Sequence, residues 1–186
     1  MNGIAELETL TKEYGGEYGL NHSKRIQQII SIIGKDLSYD SEIIEYAAYL
    51  HDWGGYKPWK QEGIDHAVRS TIVAKEYLQS VPLDKIKKEL ILECIQNHHN
   101  GKQEKSLEAK LFSDADGLDF LGTIGVLRDF ATKDRDLRTS IMASKNRMQN
   151  IPPLLFFETS KAMAKIRVEK MMNIYNSFEE ESFGMY

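Results

Sequence analysis

The chain has 186 residues, enough for one domain with a substantial core and too few to suggest a second. Its 24 basic and 28 acidic residues leave a net charge of -4, so no overall basic field would hold a nucleic-acid polymer. A content of 41% hydrophobic and 28% charged residues excludes global disorder, and the single cysteine, Cys94, excludes disulfide chemistry and reads as a small core residue.

Apolar residues recur at helical spacing almost everywhere and alternating β-branched runs are scarce, which predicts an all-α, single-domain helical bundle over residues 1–186. The first helix is expected over 4–14, ended by Gly15 and Gly16, and the second over 21–34 with Asn21 as N-cap. Glu6, Glu8, Lys12, Glu13 and Glu17 interrupt the first stretch, so it lacks the apolar core of a signal peptide. No stretch is apolar enough to span a bilayer, and a cytoplasmic protein with no membrane partner is expected.

Asp40 or Ser41 caps a third helix that runs to Asp52. The segment Gly54-Gly55-Tyr56-Lys57-Pro58-Trp59 is a loop by its glycine and proline content, and Asp65 caps a helix continuing to about Ser80. Pro82 and Asp84 open a helix that ends near His99, with Asn100-Gly101 as its stop; Ser106 caps the next, and Gly122 interrupts a pattern that resumes through Phe130. The polar stretch 133–150 reads as a helix followed by a mobile loop. Pro152-Pro153 forces a break, and Met163, Ile166, Met171, Ile174 and Phe178 mark a C-terminal helix over about 155–180 with a solvated acidic end at 179–181.

The five histidines, His22, His51, His66, His98 and His99, fall on these helices in a telling way. His22 shares a face with Ile26, Ile29, Ile30 and Ile33, and His51 with Ile44, Ala47 and Ala48. His66 aligns with Ser70, Val73 and Tyr77, and His98 with Ile91, Cys94 and Ile95. One histidine on an apolar face reads as a satisfied core residue; four, each near a helix end and accompanied by carboxylates, point to a shared metal that repays their desolvation.

Neighbours on a helix point about 100° apart, so His51 and Asp52 reach one site only if the helix terminus faces it end on. Trp53-Gly54-Gly55 ends the helix at that point. Further on, Asp114, Asp116 and Asp119 interrupt an apolar helical run, and carboxylates on a core helix are costly without cations. Asp114 and Asp116 point to different sides, so one at most is expected to bind a metal directly.

The ordered set His22, His51-Asp52 and Asp116 resembles the HD superfamily of metal-dependent phosphohydrolases, named for that doublet. The flanks agree in order: Asn21-His22-Ser23-Lys24-Arg25, Ala47-Ala48-Tyr49-Leu50-His51-Asp52-Trp53-Gly54, and the run from Ser113 through Gly125. Phe157-Glu158-Thr159-Ser160 and Ala162-Met163-Ala164-Lys165-Ile166-Arg167 resemble the closing helix of a bacterial subgroup of small HD hydrolases, so the likeness runs from about Leu20 to Glu181.

The resemblance implies an HD-type bundle with its metal-site core at about 20–130. It implies His22, His51, Asp52 and Asp116 as ligands of one ion, with His51, Asp52 and Asp116 catalytic. His66 and His98 stand where two-metal members carry the ligands of a second ion, with His99 as a spare and Asp52 as the bridge. Gly117 departs from the pattern, since relatives commonly carry a larger, often basic residue there.

Mixed imidazole and carboxylate donors suit Mn, Fe, Co, Ni or Zn as the divalent cofactor. Such an ion lowers the pKa of bound water towards about 7, which supplies a hydroxide able to attack phosphorus. Arg25, Lys57, Lys60 and Arg128 are the cations expected to meet substrate, with Arg167 a further candidate; Tyr56 and Trp59 either stack on a base or cover the core. The expected partner is a small phosphorylated metabolite, a nucleotide foremost. The alternatives are a phosphodiesterase acting on a cyclic or dinucleotide and a catalytically silent sensor that uses the metal only to bind phosphate.

Overall fold

The computed structural model describes residues 3–99, 105–131 and 136–185. These residues form eight α-helices and two short 3-10 turns, with no strand among them, so the all-α fold class holds. Backbone contacts divide the chain into two compact units, Met1–Ala115 and Asp116–Tyr186.

The first unit contains α1 (Ile4–Ile33), α2 (Ser41–Leu50), α3 (His66–Gln79), α4 (Lys85–Asn97) and the first turns of α5 (Leu107–Asp119). The two helices expected at the N-terminus are both present and meet at a kink inside α1, the second beginning directly after Gly16 rather than at Asn21. Gly16 alone leaves helical geometry, at φ 66° and ψ -171°, a conformation open essentially to glycine, and the helix resumes at once. Asn21 therefore sits exposed inside α1 and caps nothing.

The other expected starts are in place, each with its side chain accepting from a backbone amide. Asp40 takes the Glu42 N–H at 3.0 Å, Asp65 that of Ala67 at 2.9 Å, Asp84 that of Lys87 at 2.9 Å and Ser106 that of Ala109 at 3.1 Å. Helix α2 packs against α1 and α4, and α3 against α4 and the turn Trp53–Gly55. Leu7, Ile26, Ile30, Ile43, Leu50, Leu78, Ile91 and Ile95 fill the interior together with Cys94, whose thiol burial pushes well up. The expected stop at Asn100-Gly101 lies outside the described residues.

In the second unit, α6 (Gly122–Phe130) packs against α7 (Leu137–Asn150) and against α8 (Glu158–Ser182). Residues 137–150 are helical to the end, so the expected loop there is absent; 132–135 lie outside the described residues. Two arginines stack over Phe120, Arg128 at 4.1 Å and Arg147 at 4.7 Å from the ring centroid. Arg128 also pairs with buried Asp119 at 2.6 Å, and Arg147 with buried Asp129. The acidic end at 179–181 is exposed yet still helical. Among the described residues no helix is long and apolar enough to cross a membrane.

Candidate metal centre

The first unit gathers around Asp52 two sets of side chains that could hold a metal ion. His22 comes from the body of α1, and His51 is the C-terminal cap of α2, with Asp52 immediately after it. His22 Nε2 and His51 Nε2 lie 3.3 Å apart, and Asp52 Oδ2 stands 3.4 Å from His51 Nε2 and 3.8 Å from His22 Nε2. Ligand bonds of about 2.0–2.2 Å place neighbouring donors on one ion roughly 3.0–3.5 Å apart, so the first two spacings fit and the third needs a shift of a few tenths of an ångström. His22 and His51 are 1% and 0% exposed, so these donors are already out of bulk water.

The second set is His66, His98 and His99, whose donor atoms also lie within 4.8 Å of one another. His66 opens α3, His98 caps the C-terminus of α4 and His99 follows it. His66 Nε2 and His99 Nε2 are 2.8 Å apart. Asp52 links the two sets, because its other oxygen, Oδ1, lies 3.7 Å from His66 Nε2. One carboxylate thus turns a different oxygen to each histidine group.

His51 and His98 are oriented by the same device. The Nδ1–H of His51 donates to the Ala48 carbonyl at 3.0 Å, and that of His98 to the Ile95 carbonyl at 2.6 Å. Each bond spans three residues at a helix end, where carbonyls lack an intrahelical partner. A proton committed to Nδ1 leaves Nε2 as the lone-pair atom, which is the form a metal requires. The two rings meet edge to face, with centroids 5.2 Å apart.

Lys105 supports the end of α4. Its Nζ donates to the Asn97 carbonyl at 2.7 Å and to Ser113 Oγ at 3.3 Å, and Ser113 in turn donates to the His98 carbonyl at 3.0 Å. A cation at a helix C-terminus is favourable, although burial pulls the lysine below its ordinary pKa against the opposing pull of Asp114 and Glu93. At the start of α3, burial raises the Asp65 carboxyl, but hydrogen bonds from the Val68 and Ala67 amides outweigh it and the net shift is downward.

The structure brings His22, His51, Asp52, His66 and His98 together as the residue pattern suggested. It adds His99, kept only as a spare in the sequence reading; neighbours on a helix point about 100° apart. Helix α4 ends at Asn97, and beyond it that rule no longer applies. Asp116 is buried on α5 as the first residue of the second unit, and Asp114 is buried in the first, in the field of Lys105.

Among the proposed substrate contacts, Arg25 is half-buried on α1, Lys57 and Lys60 are exposed in the loop after the doublet, and Arg128 is engaged by Asp119 and Phe120. That loop is closely packed. Trp59 stacks on Trp53 at 4.5 Å and meets the edge of Tyr14 at 4.9 Å, while Arg69 Nε donates to the Trp59 carbonyl at 2.6 Å. Trp59 is therefore a cover for the core. In the second unit, a side chain at Gly117 would press on Ile151 at 3.1 Å.

Solved structures share the fold across nearly the whole chain. An HD superfamily hydrolase from Bacillus thuringiensis superposes with a TM-score of 0.72 at 22% identity, covering 98% of this chain and 97% of that one. Bacillus subtilis YpgQ, solved in complex with ADP, gives a TM-score of 0.72 at 19% identity, over 96% and 94% of the two chains. Ribonuclease Y of Clostridium botulinum is 28% identical over 109 residues; that match takes in 57% of this chain and only 20% of the ribonuclease. The HD domain family model matches residues 19–121, more than half of the chain and all of both histidine sets. The chain belongs to the HD domain family.

Proposed function

We propose that this protein is a metal-dependent phosphohydrolase acting on a small phosphorylated metabolite, a nucleotide foremost. The observation that carries the reading is Asp52, with one oxygen towards His22 and His51 and the other towards His66. In this reading His22, His51, Asp52 and Asp116 hold the first ion, and His66, His98 and His99 hold a second that shares Asp52. Asp116 is assigned by its place in the family pattern.

When bound, a divalent Mn, Fe, Co, Ni or Zn ion supplies a nucleophile at neutral pH and a Lewis acid for a phosphoryl oxygen. The protein's own residues do the remainder. The Ala48 and Ile95 carbonyls keep the His51 and His98 protons on Nδ1, and Arg25, Lys57 and Lys60 are the cations assigned to neutralise the phosphate. The choice of a nucleotide is supported by the ADP bound to YpgQ, a protein of the same fold.

A second reading, cleavage of a phosphodiester, is favoured by the match to Ribonuclease Y over 109 residues. The net charge of -4 weighs against a long polyanion and in favour of a cyclic or dinucleotide. One panel separates the readings: protein loaded with Mn²⁺, Co²⁺ or Ni²⁺ is offered nucleoside mono-, di- and triphosphates beside cyclic and linear dinucleotides. Release of phosphate or pyrophosphate is the expected result. Cleavage confined to diesters supports the second reading, and tight nucleotide binding without turnover on any metal identifies a sensor.

A further inference from the structure

Asp52 reaches both histidine sets only if the turn after it is held at a fixed distance from the start of α3, where His66 sits. The backbone N–H of Gly54 donates to the Ser70 hydroxyl at 2.8 Å, and Ser70 is wholly buried, one turn beyond His66 on the same face of α3. Gly54 is also pressed against that helix. A methyl group at this position would meet the His66 carbonyl oxygen at 2.6 Å and the Arg69 carbonyl carbon at 2.7 Å, and would overlap the Ser70 amide nitrogen. These are backbone atoms of a helix, which cannot swing aside as the tip of a side chain can. Only glycine lets the turn sit this deep.

We propose that Gly54 and Ser70 are positioning residues that set the separation of Asp52 from His66, and with it the spacing of the two metal positions. The inference rests on the two-ion reading above. His51 caps α2, which packs against the helix that carries His22, and Asp52 follows His51 directly, so the first set keeps its internal geometry when the turn beyond it shifts. His66 is joined to Asp52 through the contact of Gly54 with α3. Loss of that contact therefore acts on the second ion and spares the first.

Removing the hydroxyl in Ser70→Ala leaves the Gly54 amide buried without its acceptor, and Gly54→Ala lifts the turn off α3 by steric force. Each variant is titrated with Mn²⁺ by calorimetry, with electron paramagnetic resonance reporting whether two bound ions are spin-coupled through a shared carboxylate. Wild type is expected to take up two equivalents with a coupled signal. Ser70→Ala is expected to keep the first equivalent and to bind the second about 10-fold or more weakly, with the coupling lost. Gly54→Ala is expected to do the same, and circular dichroism shows that each retains its helices; a variant that fails to fold leaves the test to the other. Unchanged binding of both ions with only a lowered melting temperature, or equal weakening of both, overturns the proposal. A single equivalent in wild type overturns the two-ion reading itself and is seen before any variant is made.

Discussion

The two histidine sets of the first unit differ in depth and in origin. His22 and His51 are buried and belong to the body of one helix and the end of the next, while the His66 side chain is 38% exposed and His99 lies open at the end of α4. The deep set is held by core packing, so its donors cannot leave without exposing apolar surface. The shallow set depends on local devices, namely the Asp65 cap, the Lys105 contacts with the end of α4 and the seat of Gly54 on α3. In the proposed two-ion reading, the first ion would be enclosed, while the second would rest on buried His98 and on His66 and His99 nearer the surface.

The comparison breaks first at Asp52, which faces both sets, and at its neighbour His51. His51→Ala and Asp52→Ala are expected to lower phosphate release by at least about 100-fold and to remove the first ion, since even groups behind the ligands cost 10–100-fold when lost. Activity unchanged in both variants would sink the phosphohydrolase reading. His66→Ala and His98→Ala are expected to cost about 10–100-fold in affinity for the second ion and to leave the first in place, as metal analysis after dialysis will show. If the first ion is lost as readily, the two sets are one site.

A gentler test concerns the supports. Lys105→Met is expected to weaken the second ion about 10-fold, because the Asn97 carbonyl and Ser113 lose the ammonium that holds the end of α4. The helix caps give the smallest effects and the sharpest contrast. Asp40→Ala and Asp65→Ala should each cost about 1 kcal/mol of stability in denaturant titrations. Only Asp65→Ala should also weaken the second ion, since Asp65 immediately precedes His66, whereas Asp40 lies the whole length of α2 from His51.

Both caps also carry a pH signature. The Lys87 ammonium draws the Asp40 carboxyl below its ordinary value against the cost of burial, with the Glu42 amide helping, and Asp65 is lowered as well. A carboxyl lowered in the folded state stabilises at pH above its unfolded value. That contribution is lost as pH falls through the lowered folded value, so the two variants should lose less stability than wild type on acidification below about pH 4. An acid transition of the same size in the variants would deny the caps this role.

Much of this was legible in the residues because helical periodicity is local. The faces that point His22, His51 and His98 inward follow from spacing alone, as do the caps at Asp40, Asp65, Asp84 and Ser106. Gly15-Gly16 reads as a stop by composition, and Gly16 does break helical geometry there, but the next helix starts at once instead of at residue 21. Arg128 reads as a free cation from sequence, and its partner Asp119 lies one helix away.

The chain's residues by themselves determined the all-α class, the ends of most helices and the ordered histidine and aspartate pattern that places it among HD domains. These depend on interactions within a few turns of helix or on residue identity. Tertiary structure alone decided that Asp52 turns a separate oxygen to each histidine set, that His99 joins His66, and that Gly54 lies against Ser70. Each of these is a contact between elements far apart in sequence, and its distance is set by how closely two backbones pack, which no spacing along the chain encodes.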